Sequence, residues 1–177
     1  MARLPGPFAE NGAINVMVES PRGSAVKLKY DPKHQLISLS RPLTAGLSFP
    51  FDWGFVTGTK ASDGDPLDAF VLWDVSSYPG VVIPCRPLGV LNVEQTNKET
   101  QKRERNDRIA VVPLKAPRQE SLRSVLELTE RARAEIETFF LEVVAFEGKD
   151  LKLLGWQGPD AALKRIRAGA AARKRGR

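Results

Sequence analysis

Short segments in which apolar and polar side chains alternate run through this chain up to about residue 112. The pattern occupies residues 14–18, 26–30 and 35–39, with Pro and Gly between the segments. Because side chains of a strand alternate between its two faces, such segments predict half-buried strands. Further strand candidates are residues 55–56, 69–73, 81–86, 88–93 and 109–112. Short strands at this spacing predict a small barrel or sandwich.

The pattern changes after Pro117. Apolar residues follow helical spacing from Ser121, a candidate N-cap, to Val143. A strand is predicted at residues 151–156, followed by a last helix capped by Asp160. The sequence therefore predicts a mainly β protein with C-terminal α-helices. With no linker in view, residues 1–177 are predicted to form one domain that ends in a basic, frayed tail over residues 167–177.

Composition narrows the possible chemistry. The chain has 177 residues, of which 42% are hydrophobic and 27% charged, and no apolar run is long enough to span a membrane. Cys85 is the single cysteine, which is typical of a reducing cytoplasm. His34 is the single histidine, which argues against a histidine-based zinc site or a Ser-His-Asp triad. The chemistry must then rest on carboxylates, lysines and arginines, and the net charge of +6 favours anionic partners.

The segment Ser62–Asp68 places three carboxylates within six residues. Asp63 and Asp65 would point the same way in extended backbone, and Pro66 disfavours a helical conformation at Asp65. A bend after Pro66 would bring Asp68 back to the same place. Like charges this close repel one another and favour a bound cation. The segment is therefore either a metal site or an acidic surface turn.

Several motifs occur together, in one order, over roughly residues 14–166. They are Val18-Glu19, Lys27, Arg41, Phe49-Pro50, Trp53-Gly54-Phe55, the run from Asp63 to Asp68, the run from Cys85 to Leu91, Ala110-Val111-Val112-Pro113, Phe139-Phe140 and Gly155-Trp156. In these residues the chain resembles the soluble family I inorganic pyrophosphatases.

The resemblance implies a five-stranded, closed barrel of OB type flanked by helices. It also implies magnesium-dependent hydrolysis of pyrophosphate or a related phosphoanhydride, and a homo-oligomer, commonly a hexamer in bacteria. By the same resemblance, Asp63 and Asp68 would bind Mg²⁺, and Asp65 would help to deprotonate the attacking water. The residues implied to hold phosphate are Lys27 and Arg41, with Glu19 and Trp53 in support.

The chemistry of these residue types agrees with that function. Pyrophosphate carries a high negative charge, which guanidinium and ammonium groups and a metal ion can neutralise. Water bound to a metal ionises near neutral pH, so that no histidine base is needed.

The chain departs from the family pattern at several phosphate-binding positions. Lys29 stands where the family usually has Glu, and Phe49 and Trp53 replace tyrosines. Val143 and Val144 occupy the positions of a Tyr-Lys pair. Lys29, Arg108 and basic residues of the 98–105 segment are hypothesised to replace the lost contacts.

The second acidic cluster of the family is also altered. Its first aspartate falls at Gln95, beside Glu94. Its second falls at Asn106, or at Asp107 if the chain is shifted by one residue. We favour the shifted register, which predicts Asp107 as a metal ligand and Arg108 as a substrate-binding residue.

Three functions are compatible with these observations. The first is an active, divergent magnesium pyrophosphatase, which the retained triplet favours. The second is a weakened or inactive relative that binds a phosphate or nucleotide ligand or a protein partner. The third is a nucleic-acid-binding module. Two observations argue against it: the sequence has no aromatic residues interleaved with basic ones, and its acidic cluster repels phosphates.

Overall fold

The computed structural model describes residues 4–175, and this range contains nine strands and two α-helices. In chain order they are β1 (Ile14–Ser20), β2 (Val26–Asp31), β3 (Leu36–Pro42), β4 (Asp52–Val56), β5 (Asp68–Val71), β6 (Val82–Thr96), β7 (Arg103–Arg105), β8 (Arg108–Pro113), α1 (Glu130–Glu142), β9 (Lys152–Gln157) and α2 (Pro159–Arg175). No helix among them is long and apolar enough to cross a membrane.

Five strands close into a ring. Their order is β1, β4, β5, β8 and β6, and β6 pairs with β1 to complete the circuit. The pairs are antiparallel except for β5 and β8, which are parallel. Strands β7 and β9 extend β6 outside the ring, while β2 and β3 form a separate hairpin. The prediction of a mainly β fold with a closed five-stranded barrel and flanking helices is confirmed.

Two glycines permit the close approaches that the ring requires. A Cβ atom on Gly54 of β4 would lie 1.8 Å from the carbonyl oxygen of Met17 in β1. A Cβ atom on Gly89 would lie 2.3 Å from the carbonyl oxygen of Gln157. At Gly89 the register of β6 shifts against β8, which lets one 15-residue strand serve several neighbours. The sequence predicted two separate strands here, because Pro87 interrupts the apolar pattern.

Alternate residues of the ring strands divide between two hydrophobic clusters. In β8, Ile109 and Val111 belong to a cluster that includes Ala162 and Ile166 of α2. Their neighbours Ala110 and Val112 belong to a cluster with the phenylalanines of α1. This two-residue alternation is the signal that allowed the strands to be predicted.

The helix starts differ from the sequence predictions. Helix α1 begins at Glu130, where the hydroxyl of Thr129 accepts a hydrogen bond from the Ala132 amide at 3.1 Å. Ser121 is not its cap, because a short 3₁₀ turn at Val125–Glu127, which buries Val125, lies between Ser121 and the helix. Helix α2 begins at Pro159, whose fixed φ suits a first helical position, so Asp160 lies inside the first turn. The basic tail is helical up to Arg175, and residues 176–177 lie outside the described range.

Candidate active site

An open pocket of about 360 Å³ lies beside the β2–β3 hairpin. One side, which we call the acidic wall, consists of Glu19 at the end of β1 and the three aspartates predicted to act together, Asp63, Asp65 and Asp68. The structure therefore brings the predicted triplet into one pocket.

A tight loop holds the acidic wall in shape. The Asp65 amide donates to the Asp63 carboxylate at 3.1 Å, and the Ala61 amide donates to the Asp65 carbonyl at 2.7 Å. Between them Gly64 has a φ of 92°, which residues with a side chain rarely adopt. Burial raises the pKa of Asp63, and the charges of Asp68 and Asp65 raise it further against the effect of that hydrogen bond. The wall thus carries a local excess of negative charge.

Lys29 partly offsets this excess. Its Nζ lies 2.9 Å from Oδ2 of Asp65, and both side chains are more than half exposed. Burial alone would lower the pKa of Lys29, but its hydrogen bond to Asp65 and that carboxylate's charge raise it overall. The residue that departs from the family pattern therefore pairs with the predicted catalytic carboxylate.

Glu19 is the most deeply buried member of the acidic wall. Its Oε1 accepts a hydrogen bond from the Tyr30 amide at 2.7 Å, which ties β1 to the β2–β3 hairpin. Burial raises the pKa of Glu19 to about 7, with the hydrogen bond from Tyr30 opposing the shift and the charge of Asp68 adding to it. Glu19 is thus a buried positioning group whose charge is sensitive to pH near neutrality.

A narrow recess of about 30 Å³ adjoins the acidic wall, and we call it the cationic recess. Its charged lining residues are Lys27, Arg41, Asp68, Arg108 and Lys149. Asp68 borders both spaces. The recess is suited to hold an anionic group next to the acidic wall.

Aromatic rings fix Arg108 in the recess. Its guanidinium carbon lies 4.5 Å from the ring centroid of Phe140 and 5.2 Å from that of Trp53. Its Nη1 lies 3.8 Å from Oδ2 of Asp68. The contact follows from topology, because Asp68 and Arg108 begin the parallel neighbours β5 and β8. Burial lowers the pKa of Arg108, and the charge of Asp68 opposes that shift.

The β2–β3 hairpin supplies two more cations. Lys27 and Arg41 are direct cross-strand partners. Arg41 donates from Nη2 to the Val143 carbonyl at 2.6 Å, and its Nε lies 3.3 Å from Glu147. Burial lowers the pKa of Lys27, while the charge of Asp68 opposes the shift.

Lys149 was missed by the sequence analysis. It lies in the turn between α1 and β9, and it lines both the pocket and the recess. Burial lowers the pKa of Lys149, and the charges of Lys27 and Arg108 lower it further. No motif marks this position, and only the folded turn brings it to the site.

The structure does not bring Asp107 to the pocket. Its carboxylate accepts hydrogen bonds from the Val93 amide, from Arg105 and from Arg165 of α2. Asn106 lines the pocket instead, because successive residues before β8 point to opposite sides. Asn106, the position given by the unshifted register, thus faces the pocket, and we do not retain Asp107 as a metal ligand.

The other candidates for the second acidic cluster give no carboxylate to the pocket either. Gln95 lines it with a buried Oε1 that has no hydrogen-bond partner among the described residues. Glu94 lies 3.6 Å from Arg103 of β7. Amides have thus replaced the carboxylates that the resemblance implied.

The carboxylates of the acidic wall have the oxygen donors that a hard divalent cation prefers. Even so, within residues 4–175 no group of three or more His, Cys, Asp or Glu side chains is arranged to hold a metal ion. The ammonium group of Lys29 already donates a hydrogen bond to the Asp65 carboxylate. The donor chemistry of the acidic wall nevertheless fits such an ion.

Comparisons with known proteins agree with this site. A family model described as inorganic pyrophosphatase matches residues 16–174. The chain belongs to the inorganic pyrophosphatase family. The inorganic pyrophosphatase of Synechocystis sp. is 36% identical over 163 residues, which are 92% of each chain. That of Sulfolobus acidocaldarius is 34% identical over 169 residues, or 94% of each chain.

Solved inorganic pyrophosphatases share the fold. The structure from Thermus thermophilus matches with a TM-score of 0.87 at 33% identity, over 97% of both chains. The structure from Helicobacter pylori matches with a TM-score of 0.84 at 27% identity, over 92% of this chain and 94% of that one. Inorganic pyrophosphatases are typically metal-dependent, in agreement with an acidic wall beside a cationic recess.

Proposed function

We propose that this chain hydrolyses inorganic pyrophosphate to two phosphates with Mg²⁺ as its cofactor. The observation that carries the proposal is the position of Asp68, which borders both the acidic wall and the cationic recess. A substrate with two linked phosphoryl groups can place one in the recess and the other beside a metal ion held by the acidic wall. Family membership supports the same reaction.

Lys27, Arg41 and Arg108 would bind the phosphoryl group in the recess and neutralise its charge. Arg108 is fixed between Phe140 and Trp53, so little ordering is needed when the anion arrives. Phosphoryl transfer depends mainly on positioning and charge stabilisation, which this arrangement provides.

Asp63 and Asp68 would hold Mg²⁺, which, when bound, lowers the pKa of a water ligand and neutralises phosphate charge. Asp65 would accept the proton of the attacking water at its carboxylate. Lys29 would orient that carboxylate through its 2.9 Å contact and could turn to a phosphate oxygen when the substrate is bound.

Phosphate release from pyrophosphate tests the proposal. With Mg²⁺ present, the wild-type protein should release phosphate, and Asp65→Asn should lose most of that activity because an amide cannot accept the proton. Asp74→Asn is the matched control, since Asp74 is paired with Arg118 outside the pocket. A folded wild-type protein that releases no phosphate would refute the proposal.

A second candidate is a relative that binds a phosphate or nucleotide ligand or a protein partner without turnover. It is favoured by the ion pair between Lys29 and Asp65, which occupies the proposed base, and by Val143 and Val144, which line the recess without a polar side chain. This function predicts that pyrophosphate or a nucleotide raises the melting temperature while no phosphate is released.

Three statements about the protein's setting are also proposals. We infer that the chain acts as one domain, forms a homo-oligomer such as a hexamer, and works in the cytoplasm. The single-domain proposal is supported by the ring strands, which contribute residues to both hydrophobic clusters. Mass measurement in solution tests the second, and localisation of the tagged protein tests the third.

A further inference from the structure

Lys149 is a cation in the site that no sequence motif assigns. It lies on the turn after α1 and lines the cationic recess together with Lys27 and Arg108. No hydrogen bond or ion pair to its side chain forms within the described part of the chain. Burial lowers the pKa of Lys149, the charges of Lys27, Arg108 and Lys98 lower it further, and the charge of Asp68 opposes the shift.

The backbone keeps Lys149 in this unfavourable place. The Thr96 amide, at the end of β6, donates to the Lys149 carbonyl at 2.6 Å. The same turn is tied to the hairpin by Arg41, which contacts both Val143 and Glu147. The ammonium group is therefore brought against other cations by contacts that do not involve the side chain itself.

Charge and size together indicate what this arrangement would bind. Four cations line the recess against one carboxylate, and one of them, Arg41, already has a carboxylate partner in Glu147. A space of about 30 Å³ is too small for a whole pyrophosphate, so at most one phosphoryl group can enter it. Repulsion among these ammonium and guanidinium groups is relieved when an anion binds among them.

We propose that Lys149 is a substrate-binding residue that contacts the phosphoryl group held in the cationic recess. It supplies there a positive charge that Val143 and Val144, just after α1, cannot provide. This inference rests on the proposed function, because it takes pyrophosphate as the ligand.

The test measures pyrophosphate binding without turnover. In an Asp65→Asn background with Mg²⁺ present, calorimetry gives the Kd of pyrophosphate for Lys149→Met, Lys149→Arg and the parent. Loss of a hydrogen bond to a charged group should raise the Kd about 10- to 100-fold in Lys149→Met. Lys149→Arg should recover much of that loss. Lys152→Met is the control, because Lys152 is an exposed lysine of β9 whose loss should leave the Kd unchanged.

The outcomes separate this inference from the proposed function. An unchanged Kd in Lys149→Met, beside a raised Kd in Lys27→Met, would refute the inference and leave the proposed function standing. A raised Kd in Lys149→Met, in a protein whose wild type binds but does not hydrolyse pyrophosphate, would support the inference and refute the proposed function. Equal losses in Lys149→Met and Lys149→Arg with a lowered melting temperature would show a structural role and refute the inference.

Discussion

Asp107 offers a sharp test of the difference between the sequence prediction and the structure. Its buried carboxylate accepts from the Val93 amide at 3.0 Å, from Arg105 Nε at 3.1 Å and Nη2 at 2.7 Å, and from Arg165 Nε at 2.8 Å. These contacts join β6, the end of β7 and helix α2 to the residue that precedes β8. Asp107→Ala removes all of them at once and should destabilise the protein while leaving the pocket intact.

The size of the effect follows from what each partner can do after the substitution. The Val93 amide is buried within β6 and loses its partner, which costs roughly 1–3 kcal/mol. The side chains of Arg105 and Arg165 are 42% and 38% exposed, so water replaces much of what they lose, at roughly 0–1 kcal/mol each. The sum is about 1–5 kcal/mol, which lowers the melting temperature by on the order of 10 °C for a chain of this size.

Thermal and urea unfolding measure this loss, and calorimetric titration of Mg²⁺ measures metal binding in the same variants. Asp107→Asn should lose less stability, because its amide oxygen can still accept from Val93. Asp74→Asn should change little, since it removes an exposed pair. A normal melting temperature together with lost metal binding in Asp107→Ala would refute the structural role and restore Asp107 as a ligand.

Three further predictions concern single residues. Lys29→Met removes the cation paired with Asp65 and should tighten Mg²⁺ binding about 2- to 10-fold. An unchanged Kd in a calorimetric titration of Mg²⁺ would contradict this prediction. The folded protein raises the pKa of Glu19 to about 7, so the folded state holds this proton more tightly than the unfolded state does. The wild type should therefore lose up to about 3 kcal/mol of stability as the pH rises from below the pKa of the carboxyl in the unfolded chain through 7. Urea unfolding with a chelator at about pH 5 and about pH 8 should show that slope, and Glu19→Gln should lack it. Gly54→Ala places a Cβ atom 1.8 Å from the Met17 carbonyl and should prevent stable closure of the ring, so a cooperative unfolding transition near that of the wild type would contradict this account.

The sequence predicted those parts of the fold and site that depend on local spacing. Alternation with a period of two marked the ring strands, whose neighbouring residues divide between two clusters. The acidic wall was visible because Asp63, Asp65 and Asp68 lie within one short segment, whose turn is closed by its own hydrogen bonds.

The remaining features depend on contacts between distant segments. Whether Asn106 or Asp107 faces the pocket is set by the pairing of β8 with β5 and β6, and a one-residue error exchanges the two. Lys149 enters the site because the end of β6 anchors its turn through Thr96. The start of α1 was placed too early because a 3₁₀ turn buries Val125 at the same spacing as a helix would. None of these is encoded in a pattern of neighbouring residues.

The carboxylate of Glu147 competes with the proposed substrate for the guanidinium of Arg41. Its carboxylate lies 3.3 Å from both Arg41 and Lys98, so it links the hairpin to the loop between β6 and β7. A phosphate that engages Arg41 would compete with this carboxylate, and the same carboxylate would compete again for the guanidinium once hydrolysis is complete. An enzyme that makes two phosphates must also release them. Glu147 would limit product inhibition by lowering the affinity of the site for phosphate. Removing it would then give tighter binding and slower release.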